Sequence, residues 1–277
     1  MFDNNAAIHV GELERVCNEL GVDQPPKYLA ALADAERVKT ALADIGGPDT
    51  AQRLAAAAFA AALAGKDPLD DKAVQRLATL QQLELGGIYP AAEQQRRDMI
   101  AEAVVANADY FTEKWADAVS GVGELLAETA ASDVFSDVPI LNEMRPAELI
   151  DPEAHRMFVA ATTAARRLDA AATGFGALMA ATGLNYRPES KVMVLGSGIT
   201  LAELTTAITD RDLLDNRKTA DAWRLARCGI TPRIHRTLAD FAATVSRINS
   251  EQTQREAEAE PDQRKRHAAL AGQRISR

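Results

Sequence analysis

The most enzyme-like set of residues in this chain of 277 runs from Lys191 to Thr209. Lys191 to Leu195, Lys-Val-Met-Val-Leu, reads as the best strand in the chain. Gly196-Ser197-Gly198 then leads into a helix that Thr200 and Glu203 open at capping-box spacing. Backbone amides at a helix start can hold a phosphate, which makes Gly196, Ser197, Gly198 and Thr200 the candidate ligand-binding residues. The turn lacks the third glycine of a dinucleotide fingerprint and the Gly-Lys-Ser/Thr of a P-loop, and no further strand–helix units follow to build a parallel sheet. A tight turn entering a capped helix accounts for it with fewer assumptions. A nucleotide-binding protein or enzyme using this turn is therefore the alternative reading.

Other constellations carry less. The four histidines, His9, His155, His235 and His267, stand in no metal-ligand spacing, and Cys228 with His235 supplies two ligands at most. No metal or cofactor is expected. Asp70-Asp71, Glu153 near His155, and Asp210 with Asp212 and Asp215 can be drawn as acid–base pairs, but carboxylates also favour helix starts and solvated turns. No nucleophile elbow or triad pattern is present, so no catalytic residue is assigned and an enzyme is the less favoured reading. Cys17 and Cys228, far apart in sequence, read as small buried hydrophobes. They suit a reducing compartment better than a disulfide framework.

Two sets of residues point to binding. Tyr110, Phe111 and Trp115 cluster on about one helical turn of an otherwise aromatic-poor chain, as a binding hot spot or as a core anchor. The second set is basic. From Arg217 to Arg277 there are 13 Lys and Arg against 7 Asp and Glu, whereas the rest of the chain holds 18 against 33. The C-terminal part is thus +6 and the body −15. Arg264, Lys265 and Arg266 stand in a final stretch, 263–277, that has no acid. Such a tail is disordered alone or docks on a partner: an acidic protein surface, its own body included, or nucleic acid. Arg224, Arg227, Arg233, Arg236 and Arg247 extend the basic group, but without interleaved aromatics or a DNA-binding motif, so a nucleic-acid binder is the second alternative. An acidic helical body with a basic C-terminal end resembles the phage scaffolding proteins in architecture and charge. The Trp-x-Gly turn of the helical-hairpin substrates of specialised mycobacterial secretion is absent, since Trp115-Ala116-Asp117 lies inside a predicted helix.

The elements that must position these residues are helices. Alanine is about a fifth of the chain and aromatics are 5%, a balance that favours helix because alanine loses no side-chain entropy there. Arginine well above lysine, with this much alanine, is the usage of a GC-rich genome, actinobacterial or phage. Ile8 to Leu20 forms a helix closed by Gly21, and Pro25-Pro26 opens a second in which Tyr28, Leu32, Ala35, Val38, Leu42 and Ile45 make one apolar face. Asp49 or Thr50 caps a third, whose Leu54, Phe59 and Leu63 sit among alanines that allow close helix approach. Gly65 stops it, and Asp67-Pro68 restarts helix with Val74, Leu77 and Leu80. Pro90 to about Ala131 reads as one long helix weakened at Gly121 and Gly123. Ser132 to Ile150 is a crossing loop, and Asp151-Pro152-Glu153 starts a helix in which Phe158, Ala161, Ala165, Leu168, Ala172, Phe175, Met179 and Thr182 form a heptad seam. Short helices follow near Ala220–Cys228 and from Thr237. Pro261 interrupts the last of them.

The expectation is a predominantly all-α multi-helix bundle with a long antiparallel helical hairpin and at most one short strand pair near 191–195. Its parts are an N-terminal short-helix bundle (1–87), the hairpin (88–185), a small helical region (186–250) and a charged, basic-ended tail (251–277). The N-terminal residues have no secretory leader, and the longest apolar stretch, Leu54 to Ala64, is shorter than the ~20 residues of a membrane span. The expected setting is cytoplasmic, or the virion if the chain is phage-encoded. These features lead to a non-catalytic helical assembly or adaptor protein, a phage or bacterial structural subunit, acting on a protein partner or as a homo-oligomer.

Overall fold

A computed structural model describes residues 6–45, 49–135, 138, 141, 151–184, 190–209 and 222–275. Among these residues the fold is all-α: twelve helices and no strand, with one isolated parallel bridge between Gly196 and Arg233. The chain divides into two compact units, one of residues Met1–Val10 and Gln24–Asn107, the other of Gly11–Asp23 and Ala108–Arg277. The first helix, α1 (Ala6–Leu20), supplies residues to both.

In the first unit, α2 (Pro26–Ile45) packs along α5 (Ile88–Ala106), while α3 (Thr50–Leu63) and α4 (Lys72–Leu85) form a hairpin. The periodic face of α2 does what its spacing predicts: Tyr28 and Ala35 are buried, and Leu32 packs with Val10 and Met99 on a core of Ala35, Ile100 and Ala101. The Leu42 and Ile45 side chains lie outside the described residues. Gly86 and Gly87 make the turn between α4 and α5, Gly87 at φ +79°.

The second unit is built around α8 (Pro152–Ala181), which Asp151 caps by accepting from the amides of Glu153 and Ala154. From Ala170 to Met179 every residue of α8 except Thr173 is buried. A helix apolar on all sides must be wrapped on all sides. The wrapping comes from α6 (Ala108–Ala118), α7 (Val122–Ala131), α9 (Ser190–Leu195) and α11 (Ala222–Arg227). Next to α9 lie α10 (Leu201–Thr209) and the long α12 (Leu238–Ile275).

Several expectations are corrected. Residues 191–195 form helix α9, not a strand: Val192, Met193, Val194 and Leu195 are all buried. A short apolar run buried on both faces has the same sequence signature in either state. The stretch read as one helix from Pro90 is three. The first break is at Asn107, whose side-chain amide donates to the Ala103 carbonyl at 2.8 Å, and the second is at Gly121, at φ +74°. The hairpin's first arm is thus divided: α5 lies against α2, whereas α6 and α7 lie against α8. Asp67-Pro68 forms a turn, and the cap of α4 is Asp71, which accepts from the amides of Ala73 and Val74. Pro261 does not end α12, which runs on to Ile275. Proline removes one helical hydrogen bond, and strong helix formers such as Glu258, Ala259 and Glu260 precede it.

Candidate functional site

The turn at Gly196 is spent on the fold. The Ser197 amide donates to the Arg233 carbonyl at 2.9 Å, the Arg233 amide to the Leu195 carbonyl at 2.7 Å, and the Ile199 amide to the Gly196 carbonyl at 2.8 Å. At the start of α10 the Glu203 carboxylate accepts from the Thr200 amide and hydroxyl, both at 2.8 Å, and the Glu203 amide donates back to the Thr200 hydroxyl. The predicted capping box is formed. The Thr200 amide bond holds the Glu203 carboxyl below its ordinary range, and the Thr200 hydroxyl adds to the effect. A negative charge therefore already stands at the helix end where a phosphate would need to sit.

The aromatic cluster lies inside the second unit. Phe111 and Trp115 are fully buried, their ring centroids 5.5 Å apart, and Tyr110 meets Phe111 edge-on while the Lys114 ammonium lies 5.8 Å from its ring. Trp115 rests on α8 at Gly174, where a Cβ would come within 2.7 Å of the indole. Cys17 is buried beside it. Burial pushes the Cys17 thiol above its ordinary value, and the neighbouring Trp115 indole works against that shift. The sequence placed these aromatics on one turn, but it could not show that α8 offers them a glycine.

Part of the basic group pairs within the same unit. Arg233 bonds Glu124 at 2.8 Å, Arg236 bonds Asp117 at 2.7 Å, and Arg247 reaches Glu251 and the Ile199 carbonyl. Arg224 is buried. The side chains of Arg264, Lys265 and Arg266, and all of Asp210, Asp212 and Asp215, lie outside the described residues. His235 is buried against Phe175 and Phe241, and its Nε2 donates to the Met193 carbonyl at 3.0 Å. That nitrogen carries its proton and is not available as a ligand. Among the described residues no three of His, Cys, Asp and Glu gather as a metal site, and no helix is long and apolar enough to cross a membrane. A cleft of about 420 Å³ between the end of α1 and α8 presents Arg166 and Arg167. Arg166 is bonded to Glu19 at 2.6 Å and Arg167 to the Ala118 carbonyl at 2.8 Å.

Among the described residues, the outer side of α3 is an apolar surface left exposed. Thr50 and Ala61 are buried and Leu54, Ala57 and Ala58 half-buried, at the three-four spacing of the side turned to α4. Gln52, Ala55, Ala56, Phe59, Ala62 and Leu63 make the opposite face, and all are exposed, Phe59 at 73% and Leu63 at 89%. Gln52 and Arg53 are the only long polar side chains between Thr50 and Leu63. A helix apolar all round is ordinarily a buried one. The hairpin that presents it is well fixed: Gly65 at φ +69° closes α3, with the Gly65 and Lys66 amides on the Ala62 and Ala61 carbonyls, and Asp71 caps α4. By sequence, Leu54, Phe59 and Leu63 sit among alanines that allow close helix approach. The missed signal is the five-residue step from Leu54 to Phe59, which turns the second side chain some ~140° away from the first.

Compared with protein families, with curated proteins and with solved structures, the chain matches none of them. Among the described residues this is an all-α protein in which the α3–α4 hairpin exposes an apolar face.

Proposed function

We propose that this chain is a non-catalytic helical assembly or adaptor protein, a structural subunit that works by pairing helices with another protein chain. The observation that carries the proposal is the outer face of α3, where Phe59 and Leu63 stand 73% and 89% exposed on a shelf of alanines. Burial of each such side chain contributes about 1.5–3 kcal/mol. Contiguous exposed apolar patches larger than a few hundred Å² mark interaction sites, whereas single exposed apolar side chains do not. Weighing against the nucleotide reading is Glu203, whose carboxylate occupies the helix end a phosphate would need. The nucleic-acid reading loses Arg233 and Arg236, which are paired with Glu124 and Asp117.

Sedimentation velocity of the full chain, over a wide concentration range and at low and high salt, is the test. Concentration-dependent association is the expected result. A chain in which Arg264, Lys265 and Arg266 are all replaced by alanine reports separately on the basic end. A strict monomer at every concentration overturns the proposal.

A further inference from the structure

We draw no further inference here: the strongest candidate, the exposed apolar face of α3 around Phe59 and Leu63, belongs to the surface already described, and nothing in the structure shows what covers it.

Discussion

Trp115 and Gly174 are fitted to each other across two helices: a Cβ on Gly174 would lie 2.7 Å from Cη2 of the indole and 2.9 Å from Cζ3, and also 2.9 Å from Cγ1 of Val16. No real Cβ tolerates such contacts, so the tryptophan seats on α8 only because residue 174 has no side chain. Gly174→Ala should cost about 1–3 kcal/mol, the range of overpacked cores, read as a lower urea midpoint. Trp115→Leu in the same chain should recover part of the loss. Full stability in Gly174→Ala alone would contradict the fit.

His235 sets a pH dependence. Burial pushes its imidazole below the ordinary 6.5, against the opposing pull of the Met193 carbonyl and the charge of Asp240. With the folded value below the unfolded one, the unfolded chain binds the extra proton between the two. This contribution to stability is therefore complete above pH 6.5 and is lost as pH falls below it. Unfolding midpoints measured at descending pH should drop through this window, and His235→Gln should flatten the drop.

The capping box at Thr200 makes a separate prediction. Glu203→Ala should cost about 0.5–2 kcal/mol through the loss of a helix cap. Nucleotides and inorganic phosphate should leave the melting temperature of the parent unchanged. A ligand present at 100 times its dissociation constant would add ~2.7 kcal/mol, so a clear upward shift would revive the phosphate reading of Gly196–Thr200.

Asp169 and Ala222 join α8 to α11: the Asp169 carboxylate accepts from the Ala222 amide at 3.2 Å. Next to that amide Trp223 is buried, with its indole N–H on the Val138 carbonyl at 3.2 Å and its ring edge-on to Phe135. Asp169→Ala should destabilise the second unit by about 0.5–2 kcal/mol and speed amide exchange around Ala222 to Leu225. Unchanged exchange there would show that the cap does not hold α11.

Most helix ends were legible in the sequence because their signals are local. Gly21, Gly65, Asp151-Pro152 and the Thr200–Glu203 pair each act through hydrogen bonds within a few residues, and all stand where the sequence placed them. The misreadings are equally local in cause. Residues 191–195 carry no period because every side but that of Lys191, which is not described, faces protein, and the break at Asn107 depends on a side chain bonding its own helix. The candidate surface was half legible: the alanines of α3 announced close packing, and their number concealed which side had a partner.

Composition and spacing alone determined that this is a helical protein, since alanine's preference and the three-four rhythm act on each segment without reference to the rest. Which faces meet is another matter. The seam of α8 and the face of α3 have the same small-and-apolar pattern, yet Phe175 and Met179 are fully buried while Phe59 and Leu63 face solvent. Only the tertiary structure decided between them, because burial depends on which other helices arrive.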